Sequence, residues 1–96
     1  MEVQITLPDF IRDLATPWGA AKSSALRVTA SDMHELYDVF RNDYPAAAQR
    51  LWDEDGRMRR NVVVVRNDEL LPHRACEGTS FSSGDRIEFI MQFAGG

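Results

Sequence analysis

The chain has 96 residues, 44% of them hydrophobic, enough for one compact domain with one core but not for a deep cleft of converging catalytic groups. Eleven basic against fifteen acidic residues give a net charge of −4, which argues against nucleic acid and against an anionic membrane surface, where clustered positive charge supplies the affinity. Cys76 is the only cysteine, so an internal disulfide, a cysteine-built metal site and an iron–sulfur cluster are excluded.

Val3, Ile5 and Leu7 alternate with Glu2, Gln4 and Thr6, the period-two pattern of a strand with one buried face. Pro8 ends it, because proline has no donor for a ladder. Phe10 to Ser24 is irregular, with a turn expected at Pro17-Trp18-Gly19 and Trp18 over an edge of the core. Leu26 and Val28 flank Arg27 in a second strand, about residues 25–29, which forms a hairpin with residues 2–7. Thr29, Ser31 and Asp32 then offer N-cap oxygens, with Glu35 three residues after Asp32 at capping-box spacing. Met33, Leu36, Tyr37, Phe40 and Tyr44 recur at helical spacing, so an amphipathic helix is predicted over residues 32–43. Asn42-Asp43-Tyr44-Pro45 breaks it, and one or two helical turns over 46–52 follow, with Pro45 tolerated at their start.

Asp53-Glu54-Asp55-Gly56 reads as a solvated acidic turn, because it lacks the alternating ligand spacing of a calcium loop. Val62 to Val65 is a β-branched run suited to a central strand. Asn67-Asp68 is a hairpin turn, since both residues tolerate positive φ, and Leu70-Leu71 starts a short return strand stopped by Pro72. Ser82-Ser83-Gly84-Asp85 is a second tight turn. Ile87, Phe89, Met91 and Phe93 then alternate with Glu88, Ile90 and Gln92 before Ala94-Gly95-Gly96. Placing the first and last strands side by side in the middle of a mixed sheet, with the helix over one face, buries the most apolar surface. The expected class is therefore α+β: a β-grasp of four to five strands on one main helix, spanning residues 1–93, with a flexible tail over 94–96.

The segment Met1-Glu2-Val3-Gln4 lacks the features of a secretory leader, and no apolar run approaches membrane-spanning length, so the expected location is the cytoplasm. Lys22 is the one lysine among the eleven basic residues. Codon usage explains this, and so does an advantage in having few amines near an activated C-terminus. His34 and His73 have no partner at catalytic or metal-ligand spacing and read as surface residues, and Cys76 as a buried or half-buried one.

The segment from Gly84-Asp85 through Ile87–Phe93 to Gly95-Gly96 resembles the end of the MoaD/ThiS family of ubiquitin-like sulfur carriers, in which a Gly-Asp turn precedes the last strand and the chain stops at Gly-Gly. Val62 to Leu70, with Asn67-Asp68 in its turn, is similar to the same family. Tyr44 to Leu51, the acidic turn and Arg57–Arg60 look more specifically like the CysO-type carriers of bacterial cysteine synthesis. The likeness covers nearly the whole chain and is loosest between residues 8 and 25.

What the resemblance implies is a carrier and not an enzyme. An adenylating enzyme uses ATP to convert the Gly96 carboxylate to an acyl-adenylate. A sulfur donor displaces AMP, and the C-terminal thiocarboxylate then gives its sulfur to an activated substrate on a second, sulfur-accepting biosynthetic enzyme. The domain itself is expected to bind no cofactor and no metal. Ala94 and Gly95 keep the tail narrow, and glycine lets the backbone pass where a side chain would clash. The docking residues expected from the pattern are Ile90, on the face opposite Ile87 and Phe89, and Phe93 at the root of the tail; Arg59, Arg60 and Arg66 are candidates for charge steering at its rim. Two other readings share these features: a protein modifier joined to lysines through the same tail, and a non-covalent ubiquitin-like binding module.

Overall fold

In chain order the elements are β1 (Glu2–Thr6), β2 (Ala25–Thr29), α1 (Met33–Asp43), α2 (Pro45–Leu51), β3 (Val62–Arg66), β4 (Glu69–Leu71), α3 (His73–Cys76) and β5 (Arg86–Met91). The structure, a computed structural model, describes residues 1–8, 11 and 25–92. The expected turn at 17–19, Trp18, Lys22, Phe93 and the tail 94–96 lie outside the described residues.

The five strands form one mixed sheet in the order β2-β1-β5-β3-β4. Strands β1 and β5 are parallel, with Ile5 opposite Ile87, and the other three pairings are antiparallel. The first and last strands thus meet in the interior of the sheet, as the alternation of apolar residues predicts. The reason is burial: Val3 and Ile5 of β1 and Ile87 and Phe89 of β5 are almost wholly enclosed, which an edge position would not allow.

Helix α1 covers one face of the sheet with Met33, Leu36 and Phe40. Its start is fixed locally. Asp32 Oδ1 accepts the Glu35 N–H at 2.9 Å, and the Glu35 carboxylate accepts the Ser31 N–H at 2.6 Å and the Ser31 hydroxyl. The capping box therefore closes one residue further back than in the usual form, on Ser31. Helix α2 starts at Pro45, where the missing N–H costs nothing, and adds Ala47, Ala48 and Leu51 to the core. Trp52 joins the two layers, with its ring centroid 5.4 Å from that of Tyr37 and 5.7 Å from those of Phe40 and Phe89. Gly56 has φ +78°, and a Cβ there would stand 2.9 Å from the Tyr37 ring, so both backbone shape and space require glycine.

The Asn67-Asp68 hairpin has φ values of 49° and 70°, the paired left-handed conformation that such turns need. One short element was not expected. Residues 73–76 form a single helical turn, α3, after Pro72, where the sequence suggests only a loop; four residues are too few to display helical periodicity.

Candidate docking face and tail root

Strand β5 begins at an anchored turn. Gly84 takes φ +86°, a conformation glycine adopts without steric cost, and its N–H bonds to Glu2 O at 2.8 Å. Asp85, next in the chain, is the one buried charged residue among those described. Its carboxylate accepts the Ser82 N–H at 2.8 Å, Asn67 Nδ2 at 2.9 Å and Arg66 Nε at 2.9 Å, and Arg66 Nη2 lies 2.8 Å away. Burial pushes the Asp85 carboxyl up, but these donors and the Arg66 charge outweigh it and hold it below the usual carboxylate range. Asn67 also accepts the Arg86 N–H at 2.9 Å. The start of β5 is thus tied to the β3–β4 turn and to β1.

Among the described residues, the face of the sheet away from α1 is open at β5. On β5 it carries Arg86, Glu88 and Ile90, all exposed, while Ile87 and Phe89 point into the core. Ile90 is 40% exposed, as its position among Glu88 and Gln92 suggests. Its direct partner is Val63, and Val65 two residues on is paired with Leu70, which is 68% exposed. Directly paired residues share a face. Ile90, Val63, Val65 and Leu70 therefore make one apolar patch across β5, β3 and β4. The β1–β2 half of this face is polar, with Gln4 opposite Arg27 and Glu2 opposite Thr29. Sequence reasoning identified Ile90 and missed the other three. The signal was the unbroken Val62–Val65 run, which makes both faces of a strand apolar, whereas one buried face needs only alternate apolar residues.

The far end of β5 is the root of the tail. Gln92 N–H donates to Asn61 O at 2.7 Å, which seats the strand's exit beside the turn before β3. A shallow groove of ≈ 260 Å³ between Thr6, Leu7, Pro8 and Ile90 lies at the same end. Phe93, Ala94, Gly95 and Gly96 continue from there, outside the described residues. Arg57, Arg59 and Arg60 are exposed beside Asn61. Arg59 Nε donates to Gln49 O at 2.8 Å. Arg66, read from sequence as a third rim charge, is instead committed to Asp85.

The remaining titratable candidates are structural. Asp53 accepts the Arg57 N–H at 3.0 Å and the Asp55 N–H at 2.9 Å, and the Arg57 bond leads in holding its carboxyl below the ordinary value. The acidic turn thus caps itself. His34 is exposed on α1 beside Asp38. His73 is exposed but places a ring nitrogen 2.5 Å from Val62 O. Cys76 is buried, and burial followed by the charge of Glu77 pushes its thiol up, the opposite of an activated cysteine. Among the described residues no group of three His, Cys, Asp or Glu could hold a metal ion, and no helix is long and apolar enough to cross a membrane.

A mixed sheet with parallel central β1 and β5, one main helix on one face and an apolar patch on the other defines a ubiquitin-like β-grasp protein. The chain belongs to the ThiS family, whose model matches residues 5–96. Solved structures share the fold at low identity. CysO from Mycobacterium tuberculosis is 17% identical with TM-score 0.74, over 95% of this chain and 99% of that one. SAMP1 from Haloferax volcanii is 21% identical with TM-score 0.74, over 100% of both chains. A chain of the BexX/CysO complex from Amycolatopsis orientalis is 21% identical with TM-score 0.72, over 98% of this chain and 99% of that one. No curated protein matches the chain.

Proposed function

We propose that this protein is a sulfur carrier that works through the carboxylate of Gly96. An adenylating enzyme uses ATP to form the Gly96 acyl-adenylate. Sulfide attacks the acyl carbon, AMP leaves and a thiocarboxylate results; where a donor persulfide attacks instead, AMP leaves to give an acyl disulfide, and a thiol then cleaves its S–S bond, forming a disulfide with the donor and releasing the thiocarboxylate. Its sulfur, a better nucleophile than a carboxylate oxygen, attacks an activated substrate on a second enzyme in the synthesis of cysteine, molybdopterin or another thio-metabolite. The domain supplies recognition and no catalysis, a division of labour like that of other group carriers.

The observation that carries this reading is the family match running through Gly96. The geometry supports it. The strand that feeds the tail carries Ile90 on its open face, in a patch suited to protein contact. Gly95 and Gly96 lack a Cβ, so the backbone can enter a narrow groove. Ordering the tail there costs entropy, which contacts made by the body must offset. That a similar fold occurs in a BexX/CysO complex supports enzymes as partners.

The test is intact-mass spectrometry after incubation with an adenylating enzyme of the family, ATP and a sulfur source. Replacement of one oxygen by sulfur, mapped to Gly96, is the expected result. An unchanged mass alongside a control carrier that reacts would refute the proposal. Removing Gly96 should abolish AMP formation while the circular dichroism spectrum stays unchanged.

A further inference from the structure

Strand β3 turns its backbone groups alternately to its two neighbours, as an antiparallel strand must. Gln92 N–H donates to Asn61 O at 2.7 Å and Asn67 N–H to Arg86 O at 2.8 Å, both in the β3–β5 register that pairs Val62 with Met91. The odd-numbered residues of β3 therefore face β5, and Val62, Val64 and Arg66 turn their N–H and C=O groups towards β4. There Arg66 pairs with Glu69 and Val64 with Leu71. The same register, carried one step further, sets Val62 opposite His73.

The backbone of His73 does not complete that step. Pro72, at φ −61° and ψ 149°, leads the chain out of the ladder into α3, and its carbonyl accepts the Ala75 and Cys76 N–H groups at 2.9 and 3.2 Å. Val62 N–H turns to Arg59 O at 3.0 Å. Val62 is wholly buried, and a buried carbonyl without a donor is costly. The His73 ring supplies the donor: Nε2 lies 2.5 Å from Val62 O. A carbonyl only accepts, so Nε2 carries the proton.

We propose that His73 is a positioning residue whose imidazole replaces a ladder N–H and fixes the point where β5 leaves the sheet. Bonds from three segments meet on the peptide groups either side of Val62. Arg59 O holds its N–H, His73 Nε2 holds its O, and the carbonyl before it, Asn61 O, holds the Gln92 N–H. Without the imidazole the peptide after Val62 is free to turn, and Asn61 O loses its fixed direction towards Gln92. The inference rests on the carrier reading only for its purpose, since Gln92 is where the strand hands the chain on towards Gly96. The bond from Gln4 N–H to Asp85 O at 2.8 Å, at the start of β5, shares none of these groups.

The test is amide hydrogen exchange, read residue by residue by NMR on the full chain as wild type and as His73→Ala, His73→Phe and His73→Gln. Alanine removes the ring, phenylalanine keeps a ring without a donor, and glutamine returns an N–H donor near the Nε2 position. Exchange at Gln92 should rise about fivefold in the alanine and phenylalanine variants, the size expected for the loss of one hydrogen bond. Exchange at Gln4 should stay unchanged, and glutamine should restore most of the protection at Gln92. The proposal is overturned if Gln92 exchanges as in wild type in both the alanine and phenylalanine variants, if Gln4 accelerates as much as Gln92, or if the glutamine variant exchanges as fast as the phenylalanine one. No enzyme enters this measurement, so failure of thiocarboxylate formation would refute the carrier reading and leave the exchange result standing.

Discussion

The two faces of the central sheet contrast most sharply on β5, where Phe89 is 1% exposed and its neighbour Ile90 is 40% exposed. Phe89 meets the Trp52 ring at 5.7 Å beneath α1 and α2. Ile90 pairs with Val63 on the opposite face, where it is open to solvent. The same alternation thus sends one side chain into the core and the next into solvent. The helix face supplies stability, and the open face keeps apolar surface in water, the feature on which the proposed docking role rests.

Substitutions that separate the two roles test this contrast. The largest effect is expected for Phe89→Ala, which should lower unfolding free energy by about 3–5 kcal/mol in urea titration, as for other buried aromatics. A loss below about 1 kcal/mol would place Phe89 outside the core. Asp85→Ala should cost about 2 kcal/mol, because it removes charge-assisted bonds to Ser82, Asn67 and Arg66. Because the folded Asp85 carboxyl lies below its unfolded value, its contribution is present above about pH 4 and is lost as pH falls through the lowered folded value. Asp85→Asn should flatten the acid limb of a stability–pH curve, and an unchanged limb would remove Asp85 as its cause.

Ile90→Asp probes the other face. Binding to the adenylating enzyme should weaken about tenfold, or roughly 1.4 kcal/mol, while stability shifts by no more than about 0.5 kcal/mol. Calorimetric titration and urea unfolding of the same sample would show the opposite pattern if Ile90 served the core. The smallest effect is expected at the α1 cap, where Asp32→Ala should cost about 1 kcal/mol of stability and leave partner affinity unaltered.

Much of the body was legible because its signals are local. Helix α1 runs from Met33 to Asp43 behind an Asp32 cap, within one residue of the 32–43 span expected from periodicity and the capping pair. The Asn67-Asp68 turn follows from two residues that tolerate positive φ. Ile90 was recognisable as the apolar residue on the polar side of an alternating strand. Arg66 was not recognisable as the partner of a buried carboxylate, because its attachment to Asp85 joins residues 19 positions apart and no local pattern records it. Leu70 likewise looked like ordinary strand filling until its pairing with Val65 placed it in the patch.

The order of alternating and helical segments was enough to indicate an α+β sheet with its first and last strands adjacent, since side-chain periodicity is a property of neighbouring residues and burial demands that apolar faces meet. Tertiary structure alone decided the register: Ile5 beside Ile87, Val63 beside Ile90, and Gln92 against Asn61. Register depends on packing between distant segments, and a slip of one residue would turn every side chain to the other face. It is this register that brings Ile90, Val63, Val65 and Leu70 into one patch and sets three arginines at the root of the tail.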